Sequence, residues 1–175
     1  MVQKLSKWHI FVLVIVLAFL LMVLNNGYLF RVDEQSIVKV IQSIDGYEYE
    51  QIEILDIKKI EDELFVGFLS NDQPAYIRFI KNEFGLYEMR NIEKRMDESF
   101  SMFAIPKNDV FRFMYVTNNQ NEIARMELNV NNHVIKKNFS VNESSVSWIE
   151  LPKSRSETYN LNYKFFNKEG HLIDN

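Results

Sequence analysis

Apolar positions fall into three textures along this chain, and each predicts a different element. From Ile10 to Leu24 they are continuous, IFVLVIVLAFLLMVL, with thirteen of the fifteen residues Leu, Ile, Val or Phe. At about −0.3 to −0.6 kcal/mol each, those thirteen favour insertion into a bilayer by about 4 to 8 kcal/mol. With Trp8 as an interfacial anchor, the run predicts a transmembrane signal-anchor helix over 8–24. Such a helix rises about 25 Å, slightly short of a 30 Å hydrocarbon core, a gap that local thinning of the bilayer closes. Lys4 and Lys7 precede the run and Asp33 and Glu34 follow it, so residues 1–7 are expected to be a cytoplasmic tail and the C-terminal part to be exported.

A cleaved secretory signal is the rival assignment. The following segment, NNGYLF, has no A-x-A-like cleavage site, and Ala18 lies inside the run. An uncleaved anchor in the cell membrane is therefore preferred. The chain contains no cysteine, which excludes disulfides, thiol chemistry and a lipid attached through cysteine.

The second texture is helical. Ile37, Val38, Val40, Ile41 and Ile44 form one apolar stripe, Asp33 and Glu34 suit a helix N-terminus, and Gly46 suits a stop, which predicts a short helix over 33–44. The third texture is alternating. Runs at 49–59, 64–69, 74–81 and 85–92 are rich in Ile, Val, Phe and Tyr, and Asn71, Asp72, Pro74 and Asn82 to Gly85 punctuate them. Ile77 and Phe79 oppose Tyr76, Arg78 and Ile80, giving one apolar and one mixed face. Residues 31–95 thus read as an α+β subdomain, a helix laid on an antiparallel meander.

Beyond Ser99 the runs at 99–104, 110–117, 122–130, 133–141, 146–151, 158–166 and 171–173 predict a β-sandwich-like subdomain over 99–175. Asn131-Asn132 suits a type I′ hairpin turn, and Lys168-Glu169-Gly170 a second tight turn. Each half has about 70 residues, a size at which one core alone is marginal, so the two are expected to pack together. No Gly/Ser- or Pro-rich linker separates them.

Charge narrows the function classes. Residues 31–98 carry nine basic and sixteen acidic groups, and 99–175 carry nine and eight. A protein without a basic stripe is poorly suited to nucleic acid. The acidic excess is read as a solvated surface, the sharper alternative being a face for a basic partner or cations. Few Ala and Gly against 18 Asn fit an AT-rich bacterial genome. The triplets at Asn138 and Asn142 would be glycosylation acceptors only in a eukaryotic secretory path.

Candidate chemistry is sparse. His9 flanks the apolar run, and His133 and His171 follow turns. No paired-histidine metal motif, G-x-S-x-G, S-x-x-K or phosphate-binding loop occurs, so no catalytic residue, metal or cofactor is expected. Ser144 and Ser145 are assigned to a loop. Carboxylates are densest at Glu48 to Asp56 and at Glu61-Asp62-Glu63; the former are read as a solvated strand face, the latter as a polar turn partly neutralised by Lys58 and Lys59. Phe111, Phe113 and Tyr115 alternate like a sandwich core. Trp148 is read as core, or else as an interface anchor, since tryptophan is enriched at binding hot spots.

The expectation is a single-pass, membrane-tethered extracytoplasmic interaction module of the bacterial envelope, without catalysis, whose partner is an envelope or membrane protein. Two alternatives stand beside it. An anchored hydrolase predicts a deep pocket holding a carboxylate with raised pKa, and a small-ligand sensor predicts an enclosed apolar pocket lined from both halves.

Overall fold

The computed structural model describes residues 7–25, 28–29, 31–108, 110–152 and 158–173, and the side chains of all of these except 18–25 and 28. Helix α1, Lys7–Asn25, forms over the continuous apolar run. Its side chains from Lys7 to Leu17 are all exposed, Trp8 at 70% and Leu13 at 68%. Among the described residues no helix is long and apolar enough to cross a membrane. The single span predicted over 8–24 is therefore not supported.

Strand β1, Tyr28–Leu29, leads into helix α2, Glu34–Gln42. Asp33 caps α2 by accepting hydrogen bonds from the backbone N–H of Ser36 and from its hydroxyl, both at 2.9 Å. That cap sets the start of the helix, and the buried residues Ile37, Val40 and Ile41 recur at helical spacing. The bonds from the Ser36 N–H and hydroxyl hold the Asp33 carboxyl below the usual carboxylate range.

Four strands then form the predicted meander: β2 Ile52–Ile60, β3 Glu63–Ser70, β4 Gln73–Lys81 and β5 Tyr87–Lys94. They pair antiparallel in the order β1-β5-β4-β3-β2, which we call sheet A. Period-2 alternation divides its side chains. Leu64, Val66, Phe68, Ala75, Ile77 and Phe79 lie under α2 with Leu29, Ile37, Val40 and Ile41, forming the first core.

The remaining strands make two further sheets. β6 Phe100–Lys107, β7 Val110–Thr117 and β10 Ser145–Glu150 pair as β10-β7-β6, sheet B. β8 Arg125–Val130, β9 His133–Asn138, β11 Leu161–Phe166 and β12 Leu172–Ile173 pair as β12-β11-β8-β9, sheet C. Sheets B and C enclose a core of Phe113, Tyr115, Met126, Leu128, Val130, Phe165 and their neighbours. This is the predicted sandwich, with Phe113 and Tyr115 buried in it and Phe111 packed against it.

A third core lies between sheets A and B. Phe65, Leu69 and Tyr76 from one side meet Phe103, Ile105, Met114 and Val116 from the other. The layers are thus α2, sheet A, sheet B and sheet C, and the two inner sheets are covered on both faces. Strand β3 is buried at all positions and β7 at its last five. The mixed face of β4 is the one turned toward sheet B.

Asparagine sets several boundaries. Asn131 and Asn132 take left-handed conformations, φ 48° and 69°, between β8 and β9, as an I′ turn requires. Strand β8 begins at Arg125 rather than Glu122 because the buried Asn121 carboxamide occupies the backbone there. It donates to the carbonyls of Ile123 and Ser140 and accepts from the Ile123 N–H. Likewise Asn131 accepts from the Asn160 N–H at 2.8 Å, so β11 starts only at Leu161.

Tyr115 sits in the second core against Phe100, Phe113 and Phe139. Its hydroxyl is buried with no hydrogen-bond partner among the described residues, and burial pushes its pKa well up. An unpartnered buried hydroxyl is costly. Tyr115→Phe is therefore expected to raise the unfolding free energy by about 1 kcal/mol in urea titrations; a loss of stability would mean that the hydroxyl is hydrogen-bonded.

Candidate functional site

Three members of the dense carboxylate runs, Asp56, Glu61 and Glu63, lie where sheets A and B meet, and each accepts from a specific donor. Glu63 opens β3 on the face it shares with Phe65, so alternation drives it between the sheets, where it is 7% exposed. Arg78, its neighbour on β4, donates from Nε to one carboxylate oxygen at 2.6 Å and from Nη2 to the other at 2.8 Å. Lys107, at the end of β6, adds a third bond at 2.7 Å from Nζ. Lys107 also lies 3.5 Å from Glu61, whose oxygens accept from the Asn108 carboxamide at 2.9 and 2.7 Å.

The predicted neutral turn at Glu61-Asp62-Glu63 is corrected on two points. Glu63 belongs to the strand, and its cations are Arg78 and Lys107 rather than Lys58 and Lys59. Burial alone would raise the Glu63 pKa, but the bonds from Arg78 and Lys107 outweigh it and hold the carboxyl below the ordinary glutamate range. Arg78 rises in return, chiefly through its hydrogen bonds to Glu63. The group is a fixed anion saturated by donors, which suits a cross-link between sheets and not proton transfer.

Trp148 lies on β10 beside this junction, half-buried. Its indole N–H donates to Asp56 at 2.9 Å, the Lys58 ammonium stands 4.6 Å from the ring centre, and the Phe65 ring meets it edge-on at 6.2 Å. These partners all come from sheet A. At the opposite end of that sheet Glu50 binds Lys94 at 2.5 Å and accepts from the Ser70 hydroxyl, while Glu48 accepts from the Gly46 N–H at 2.9 Å.

The remaining candidates disperse. His133 begins β9 and is exposed; His171 is exposed in the turn before β12. Ser145 belongs to β10 rather than to a loop, and its hydroxyl lies 2.9 Å from that of Thr117 on the neighbouring strand. Among the described residues no group of three or more His, Asp or Glu is placed to hold a metal ion.

Two open grooves lie on the second half of the chain. One of about 460 Å³ is lined by Asn129, Asn131, Asn132, Asn160 and Asn162, and one of about 200 Å³ by residues including Glu122, Asn142 and Lys168. Neither is the enclosed apolar pocket drawn from both halves that a small-ligand sensor predicts, and the carboxylates named here with displaced pKa, Asp33 and Glu63, are both lowered rather than raised.

The largest exposed apolar surface among the described residues is α1. Trp8, Ile10, Phe11 and each residue from Val12 to Leu17 are exposed, so no side of this stretch is covered by the rest of the fold. It joins the domain through β1, whose Leu29 is 1% exposed inside the first core and pairs with Tyr87 of β5. Comparison with known proteins finds no family model, no curated protein and no solved structure that matches this chain.

The Glu63 cluster was missed in the sequence because its members lie 15 and 44 residues apart. One signal did exist: Glu63, Phe65, Gly67 and Leu69 share a face by period two, which placed a carboxylate among core residues.

Proposed function

We propose that this chain is a membrane-tethered interaction module of the cell envelope, inserted through α1, with its N-terminus cytoplasmic and residues 31–175 extracytoplasmic. The observation that carries it is the exposure of α1 from Lys7 to Leu17. A helix that is apolar all round needs apolar surroundings on every side, which a bilayer supplies and water does not. Lys7 before the run and Asp33 and Glu34 after it set the orientation.

A folded body with three hydrophobic cores and its buried Glu63 bonded to two cations is suited to presenting surface to a partner. The core between sheets A and B supports treating 31–95 and 99–175 as one such body. An envelope or membrane protein is the proposed partner.

The test is extraction of native membranes with alkaline carbonate. The full-length chain should remain in the membrane pellet, and Leu13→Arg should move it to the supernatant. Replacing leucine by arginine near a helix centre costs about 3 to 4 kcal/mol on insertion scales. Release of the unaltered chain by carbonate would defeat the tether. Co-purification from gently solubilised membranes, with residues 31–175 alone as comparison, should recover a stoichiometric partner with both.

A further inference from the structure

The junction between α1 and sheet A is short. Only residues 26 and 27 separate Asn25 from Tyr28, so the end of α1 lies within about 11 Å of the start of β1. Strand β1 is itself held by the pairs Tyr28 to Glu88 and Leu29 to Tyr87, with Leu29 buried in the core. A helix ending at the hydrocarbon boundary is followed by a headgroup layer about 5 to 7 Å deep. Hence a tethered domain joined in this way cannot stand off on a stalk, and the end of β5 that pairs with β1, Tyr87 and Glu88, must lie close to the bilayer surface.

The chemistry of that edge suits such a position. Arg31, Arg90 and Arg95 are all exposed. The register between β4 and β5 shifts between Arg78 and Phe79, leaving Arg90 as the extra residue on β5. Arg90 lies 3.2 Å from Glu88, and Arg95 lies 2.6 Å from Glu93. Ion pairs at such exposed positions contribute little, so both guanidinium groups can exchange their carboxylate partner, Arg95 while standing 5.9 Å from the Phe103 ring centre. A guanidinium fork matches two oxygens of a phosphate better than a point charge does. Beside them Met96 is 71% exposed, a long flexible apolar side chain on the loop that follows β5.

We propose that the β1–β5 edge of sheet A rests on the phospholipid headgroup layer, with Arg31, Arg90 and Arg95 against lipid phosphates and Met96 beside them at the bilayer surface. This rests on the membrane-tether reading. It assigns the lipid surface as a second binding partner and orients sheet A edge-on, with strand β2 on the edge away from the bilayer.

The chain has no cysteine, so single cysteines report without background. Full-length Met96→Cys and Lys59→Cys, each carrying a small fluorophore, are reconstituted in vesicles of phosphatidylcholine and phosphatidylglycerol containing headgroup-nitroxide lipid. Lys59, on the opposite edge β2, is the exposed control. In protein that resists carbonate, quenching at Met96 should be severalfold stronger than at Lys59. The Arg31→Gln, Arg90→Gln, Arg95→Gln triple variant should lose most of that difference while still resisting carbonate. Equal quenching at the two positions in carbonate-resistant protein overturns the edge contact alone. Release of all variants by carbonate overturns the tether, and the edge contact with it.

Discussion

Glu63→Ala is expected to lower the unfolding free energy by about 3 kcal/mol, because it strands two cations between packed sheets. Breaking a buried pair costs about 3 to 5 kcal/mol in general. The lower end applies because the Arg78 side chain is about one third exposed and Lys107 keeps Glu61 at 3.5 Å. Replacing the trio with apolar residues of similar size, Glu63→Leu with Arg78→Met and Lys107→Met, should recover most of the loss, since removing all the charges removes the desolvation cost as well. Urea titration of the full chain in detergent measures both variants. A triple variant no more stable than the single one would mean that the cluster does more than balance its own charges.

The same cluster ties stability to pH. Its cations depress the folded-state pKa of Glu63 below the unfolded value, so the folded state binds fewer protons than the unfolded state in that interval. Stability from Glu63 is therefore complete above the ordinary glutamate value, about 4.3, and is lost as pH falls below it through the folded-state value. Asp33 has the same sign at the start of α2. The unaltered protein should lose stability more steeply on acidification below about pH 4 than Glu63→Gln does. Parallel acid limbs would remove Glu63 from the account.

The second large effect is expected at Gly67. A methyl group there would lie 2.6 Å from a Val146 methyl carbon and 3.4 Å from one of Val116. Gly67 sits on β3 on the face turned toward sheet B, against Val146 and Val116. Its backbone is not in the left-handed region, so the requirement is space alone. Valine is stiff about χ1 and cannot swing aside without loss. Gly67→Ala is expected to cost about 2 to 3 kcal/mol by overpacking, and Gly67→Leu to prevent the two sheets from closing. Val146→Ala in the same chain should relieve a large share of the Gly67→Ala penalty, giving a coupling above about 1 kcal/mol in a double-mutant cycle. Additive effects would place the closest approach elsewhere.

These two sites show where sequence reasoning reached and where it stopped. Helix α2 was legible because capping and apolar periodicity act within a dozen residues: Asp33 meets Ser36, and Ile37, Val40 and Ile41 align on one turn. Most strands were legible because alternation and turn residues are also local, and the left-handed Asn131-Asn132 pair specifies its hairpin. Strand starts at Arg125 and Leu161 were misplaced because side chains far along the chain, Asn121 on Ser140 and Asn131 on Asn160, occupy the backbone there.

The candidate site was less visible. Carboxylates were noticed at Glu61 to Glu63, but Arg78 and Lys107 reach Glu63 only once β4 and β6 are stacked beside β3. Trp148 was singled out, yet Asp56, its hydrogen-bond partner, lies 92 residues away. Gly67 carried no turn signal at all, because its requirement arises from another sheet.

By itself, the sequence determined the apolar run of α1, helix α2, the order of antiparallel strands and the turns between them, since each depends on side-chain period and backbone preference over a few residues. Only the tertiary structure decided that the meander and the sandwich share a third core, that a glutamate lies within it neutralised by two cations, and that β1 pairs with β5. Those features depend on which faces meet across the stack, and face-to-face contact is a long-range property that a local pattern does not encode.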